Sequence, residues 1–218
     1  MPDQVGAVGH AHAHQFDDAE QQREAATLGM WLFVAQEILF FGGLFTVYTV
    51  YRYAYPGPFA HASHHLDVWL GGINTAVLIA SSLTMALAVH AAQVGRRNGQ
   101  VGYLLLTILL GAVFLVIKTI EYHHKFHESH VPGANFRYPG AEAKPAEIFF
   151  SLYFAMTGLH ALHMVIGIAI LAVLVVMALR GRFGASYYSP VEVTGLYWHF
   201  VDIVWIFLFP LLYLIGRH

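Results

Sequence analysis

The residues best able to do chemistry are a few ionisable side chains scattered through long apolar runs. Glu37 stands alone in GMWLFVAQEILFF. His160 and His163 are three apart in TGLHALHMVIG, and His199 and Asp202 repeat that spacing in YWHFVDIVW, just after Trp198. Lys118 and Glu121 repeat it again in KTIEY, and HHKFHESH then brings His123, His124, His127 and His130. A separation of three or four places two side chains on one helix face. Imidazoles and carboxylates so placed could ligate haem iron, hold a metal, relay protons or hydrogen-bond one helix to another.

Counting narrows these options. A bis-histidine haem needs a second histidine at similar depth on a facing helix. His90 falls at the end of its apolar run, and His199 lies only about a turn into its own, so His160 and His163 lack such a partner. A di-iron carboxylate centre needs several buried Glu with Glu-x-x-His motifs, whereas only Glu37 and Asp202 lie well inside apolar runs. His123 and His127 have metal-ligand spacing if helical, and His10, His12 and His14 in HAHAH could take up a stray divalent ion. Neither group brings the buried acids expected around a built metal site, so no metal ligand set is expected. With no cysteine in the chain, thiolate zinc sites, iron–sulfur clusters and disulfides are excluded.

The elements that must carry these residues follow from composition. Of 218 residues, 57% are hydrophobic and 11% charged, against about 25% charged in an ordinary soluble domain. The mean hydropathy is +0.56, and the apolar residues come in blocks, as bilayer-spanning segments do. Near-neutral charge, −2 overall, gives no sign of a nucleic-acid partner. The first residues are acidic and His-bearing without a basic start, unlike a cleavable signal peptide.

Five segments reach the roughly 20 residues needed to cross a hydrocarbon core of about 30 Å. They run from about Leu28 to Val50, Val68 to His90, Val101 to Ile120, Ile148 to Leu179 and Leu196 to Ile215. Their lack of β-barrel alternation makes them helices. The expected fold is therefore all-α: a five-span transmembrane domain over 28–218 behind a flexible tail over 1–27. Its helices would fall into two groups splayed about the long segment from Tyr122 to Glu147, with an apolar cleft to be filled. No internal repeat supports an inverted-repeat transporter. Basic residues are densest in the short loops after spans two and four (Arg96, Arg97, Arg180, Arg182), which places the N-terminus inside.

Depth then grades the polar residues. Glu37 lies about 13 Å into its span at 1.5 Å per residue, where a charge costs several kcal/mol. It is either a carboxyl bonded to a neighbouring helix or part of a proton-handling or lipid-sensitive surface. His160 is also near mid-depth and reads as a structural histidine, with haem ligation the sharper alternative. Trp198, His199 and Asp202 read as amphipathic groups at a membrane interface, with His199 and Asp202 able to bond each other. Lys118 is expected to snorkel towards water while pairing with Glu121. Asn74, Thr75, Ser81 and Ser82 suit helix packing in lipid.

Five stretches now carry a resemblance. GMWLFVAQEILFF, NTAVLIASS, TIEYHHKF, FAMTGLHALHMVIG and YWHFVDIVW resemble cytochrome c oxidase subunit III, in that family's order and over every span. The resemblance implies a five-helix bacterial form in the cytoplasmic (inner) membrane, its N-terminus cytoplasmic. It implies no catalytic residue, haem or copper on this chain. Haem and copper would belong to partner subunits, with subunit I packed directly against this chain and subunit II in the same complex. It further implies a V-shaped cleft holding structural phospholipids, and support for sustained turnover, proton uptake or oxygen access.

The family's buried Glu falls on Glu37, its paired His on His160 and His163, and its YWHFVD motif on Trp198, His199 and Asp202. Glu121 lies in the third motif. Arg180 and Arg182 are the nearest candidates for lipid-headgroup contacts. Lys118 departs from the pattern, where a neutral polar residue is expected. Helper subunits of quinol oxidases and nitric oxide reductases are the alternatives within this class. A stand-alone haem protein and a transporter are the alternatives outside it, the latter short of deep ionisable groups to line a path.

Overall fold

The structure, a computed structural model, describes residues 16, 18–133, 136–138, 142–184 and 187–216. Six helices follow one another: α1 (Ala19–Ala54), α2 (Pro56–His64), α3 (Val68–Gln93), α4 (Arg97–His127), α5 (Ala143–Leu179) and α6 (Ser189–Tyr213). All but α2 are long and apolar enough to cross a membrane, five in number as the hydropathy implies. Among the described residues the only extended pairing is an isolated bridge between Gly184 and Tyr187.

Local chemistry sets the helix ends. The Asp18 carboxylate accepts from the Gln21 amide at 2.7 Å, and the Asp67 carboxylate accepts from the Trp69 and Leu70 amides at 2.9 and 3.2 Å. These caps satisfy donors that a first turn leaves unpaired. Pro56 disfavours helical backbone at Tyr55, so α1 stops there, and the same proline opens α2 at its first position. Gly95 and Gly181, just past α3 and α5, adopt φ of 70°, which a side chain would strain. α1 begins at Ala19, so residues 19–27 continue the first helix where a tail is expected. Residues 1–15, including the HAHAH run, lie outside the described residues.

α3, α4, α5 and α6 pack side by side as a bundle, and α1 leans mainly on α5 and α6, touching α2 at its far end. α6 is central, with 56% of its apolar window buried, against 17% for α1. The short α2 closes one end, where the Tyr48 and Ser63 hydroxyls donate to the Leu211 and Leu212 carbonyls at 2.8 Å each. Those carbonyls belong to the last turn of α6 and lack partners within the helix. The division into groups therefore differs from the expected one. α4 and α5, on either side of the long connection, pack directly together, and it is α1 that stands apart. An apolar cleft of about 510 Å³ separates α1 from α6, lined by Val34, Ile38, Phe41, Phe200, Ile203 and Phe207 among others.

Trp198 locks the bundle's middle. It is fully buried, and a methyl group added at Gly111 or at Gly167 would come within 2.9 Å of its ring. Its indole N–H donates to the Ser81 hydroxyl at 2.7 Å. Three neighbouring helices thus approach one large ring because two of them carry no side chain there. Gly111→Ala or Gly167→Ala should each lower stability by about 1–3 kcal/mol through overpacking, measurable as a reduced unfolding midpoint in detergent.

Candidate functional site

The deep polar residues gather into separate clusters, each joining two or more helices. Glu37 on α1 meets His163 on α5, with Oε2 3.3 Å from Nε2. The separation is within ion-pair reach but off the angle of a well-formed hydrogen bond. His163 Nδ1 lies 2.9 Å from the Leu159 carbonyl of its own helix, which can only accept, so Nδ1 carries a proton. The proton between Nε2 and Glu37 then sits on the carboxyl, if both groups are neutral, or on an imidazolium facing a carboxylate. Tyr197 on α6 completes the junction, donating to the His163 carbonyl at 2.9 Å. Of the neighbouring helices, it is α5 that supplies the group facing Glu37, through His163.

His160 and His163 do not act as a pair. His163 points towards α1, while His160 is enclosed between Phe114 and Trp205, each ring centroid 5.3 Å away. Neither His160 nitrogen has a hydrogen-bond partner, so aromatic packing holds this ring in place of the hydrogen bonds expected of a structural histidine.

Lys118 does not snorkel. Its side chain is 3% exposed and ends in a closed network. The ammonium donates to Glu121 Oε2 at 3.0 Å, to Tyr153 Oη at 3.0 Å and to Tyr213 Oη at 2.9 Å. Both phenols pass their own protons to Glu121 Oε1, at 2.9 and 2.7 Å. All three lysine protons are used and both carboxylate oxygens are occupied. The rings of Tyr122, Tyr153, Trp205 and Tyr213 surround the ammonium at 4.9–5.6 Å, where aromatic faces stabilise a cation. The i,i+3 pairing with Glu121 is as expected. Tyr153 and Tyr213 carry no motif, and only an unmet need for buried partners near Lys118 could have pointed to them.

His199 and Asp202 sit well inside their helix. α6 begins at Ser189, so His199 is ten residues in, about 15 Å from the helix start, and Asp202 is deeper still. They do not bond each other. His199 Nδ1 meets the Ser82 hydroxyl on α3 at 2.7 Å, and the buried Asp202 carboxyl lies near that same hydroxyl without a well-formed hydrogen bond. The two residues line a shallow groove between α3 and α6 with Ile79, Leu83 and Ile206. Arg180 and Arg182 are exposed at the end of α5. Gly181 between them lies close to the Arg97 guanidinium, so these basic residues share one end of the bundle.

At the opposite end, HHKFHESH divides its labour. Lys125 donates to the His65 carbonyl at 2.7 Å and pairs with Glu128, which also meets His130 Nδ1 at 3.1 Å. The His130 ring stacks on Phe150 at 4.9 Å and packs edge-on against His65. Burial lowers the pKa of His130 below its usual 6.5. Burial, then the neighbouring His130 and Lys125, lowers that of His65. For Glu128 burial acts upward, but hydrogen bonding and charge from Lys125 outweigh it and hold the carboxyl below 4.5.

All three shifts have the same consequence. Two histidines kept neutral stabilise the fold above their ordinary value and oppose it as pH falls through about 6.5; Glu128 loses its contribution below about 4.5. Amide exchange at residues 128–133 and 136–138, corrected for intrinsic rates, should be faster at pH 5.5 than at pH 7.5. His130→Phe, which keeps the stack, should reduce that difference.

Among the described residues no three His, Asp or Glu side chains converge as a metal site. What the clusters share is helix–helix joinery, and comparison with known proteins agrees with the motifs that carry it. The family model for cytochrome c oxidase subunit III matches residues 11–217. The chain belongs to this family. It is 34% identical over 208 residues to a cytochrome c oxidase subunit 3 of Corynebacterium diphtheriae, covering 91% of this chain and 96% of the relative. It is 30% identical over 210 residues to a cytochrome bo(3) ubiquinol oxidase subunit 3 of Pseudomonas aeruginosa, covering 96% and 92%. The subunit 3 of Loxodonta africana is 32% identical over 199 residues, covering 88% of this chain and 70% of its own. All the buried polar residues discussed above fall inside the matched range.

Proposed function

We propose that this chain is the accessory third subunit of a membrane-bound haem-copper terminal oxidase, packing against the catalytic subunit I in a complex that also holds subunit II. Haem and copper reside in those partners. The observation that carries the reading is the family match over nearly the whole chain. The use of deep polar groups in helix junctions supports it. The named relatives include both cytochrome c and ubiquinol oxidases, so the reading stops at the terminal-oxidase class. The membrane is the bacterial cytoplasmic one. Clustering of Arg96, Arg97, Arg180 and Arg182 at the end where α1 begins supports a cytoplasmic N-terminus.

Within this reading the cleft between α1 and α6 holds phospholipid. Its walls are almost wholly apolar, and Arg23, 3.4 Å from Glu192 at its N-terminal end, sits where a headgroup would lie. The chain then supports sustained turnover, proton uptake or oxygen access without performing the chemistry. Purification from native membranes tests both parts. The chain should co-purify with a large haem- and copper-bearing subunit and retain phospholipid after detergent washing. A stable stand-alone chain with its own Soret band would overturn the assignment. An experimental map with α1 and α6 closed on each other and no lipid between them would remove the lipid role.

A further inference from the structure

No third donor completes a site around the histidines at the end of α4, but the geometry of two of them is specific. His123 and His127 are one turn apart on a helix that remains regular through His127. Their rings lie 4.4 Å apart at 67°, and the two Nε2 atoms face each other at 3.2 Å. Both residues are exposed at the bundle's end. With zinc–nitrogen bonds of about 2.0–2.1 Å, donors 3.2 Å apart subtend about 100–105° at the metal, near the tetrahedral angle.

We propose that His123 and His127 form a two-ligand chelate for a borderline first-row divalent cation such as Zn²⁺, with water in the remaining positions. Neutral imidazole is a good donor to such ions. In the neutral pair, a hydrogen bond across the 3.2 Å contact needs one Nε2–H to donate to the other Nε2. On binding, the ring that holds that proton carries it on Nδ1 instead, and the cation takes its place. Both rings stay neutral, and no net proton is released.

The neighbouring donors are committed elsewhere. His130 is bonded to Glu128 and stacked on Phe150, and the Lys125 ammonium is paired with Glu128, which offsets the nearest positive charge. His124, though exposed, lies about 100° around the helix from His123 and off the shared face. A metal bridging positions i and i+4 would clamp the last turn of α4, next to the Lys125–Glu128–His130 anchor. The inference holds whatever complex the chain joins, and it fails or stands independently of the oxidase reading.

The test titrates Zn²⁺ into the purified complex by calorimetry, with His10, His12 and His14 replaced by Ala to remove the N-terminal competitor. One site should weaken by at least about tenfold in His123→Ala and likewise in His127→Ala, the scale of losing a ligand or its support. His124→Ala should leave it unchanged. In the parent protein, Zn²⁺ should also slow amide exchange in the last turn of α4. Because these side chains are exposed, the alanine variants should match the parent in thermal unfolding without metal. Equal losses for all three variants, or no loss for either member of the pair, would mean adventitious histidine binding only and would overturn the chelate.

Discussion

Replacing Glu121 by leucine should cost about 3–5 kcal/mol of stability, because it strands the Lys118 ammonium in a dry interior. The carboxylate of Glu121 is the sole anion in that network, and it also receives the Tyr153 and Tyr213 protons. Its loss leaves three donors without acceptors at once, and each unmet buried group adds about 1–3 kcal/mol before relaxation. The double variant Lys118→Met with Glu121→Leu should recover most of the loss, since no charge then remains buried. The two phenols, already within reach of each other, can bond together. Unfolding midpoints of wild type, both singles and the double in mixed micelles give the coupling energy. A double variant as unstable as the sum of the singles would show that the pair does not act as a unit.

That network marks the boundary of what sequence could reveal. Lys118 and Glu121 were visible as an i,i+3 pair, because that relation needs only one helix. Their burial was not, because Tyr153 comes from α5 and Tyr213 from α6, and no spacing connects three helices. A lysine near the end of an apolar run then reads as snorkelling. The five spans were legible because a bilayer demands an uninterrupted apolar window. The helix limits were not, since EQQREAAT and SPVEVTG are polar yet helical. Hydropathy and helix formation are separate criteria, so His199, about a turn into its apolar run, is nearly three turns into α6. α2 escaped notice for a related reason: PGPFAHASH is nine residues long and its helix is held by packing on its neighbours.

Glu37→Gln should leave the initial rate of oxygen consumption by the assembled complex within about twofold of wild type, while Glu37→Ala should inactivate about tenfold faster during turnover, equivalent to about 1.4 kcal/mol. The reasoning begins with the Nδ1 proton of His163, fixed by the Leu159 carbonyl. If Nε2 is unprotonated, it needs a donor across the 3.3 Å gap from α1. A glutamine amide can donate there as a neutral carboxyl does, so the junction between α1 and α5 survives. Alanine offers nothing, leaving a nearly buried imidazole nitrogen unpaired and loosening the membrane-spanning helix that has the fewest other contacts with the bundle. α1 also forms one wall of the apolar cleft, so its loosening would release whatever that cleft holds and shorten the working life of the complex. His163→Phe should behave like Glu37→Ala, and the two effects should not add if they break the same contact. The opposite outcome is equally readable. If Glu37 carries obligatory protons, the glutamine variant assembles normally and is inactive from its first turnover, and the structural account of this carboxyl is then wrong.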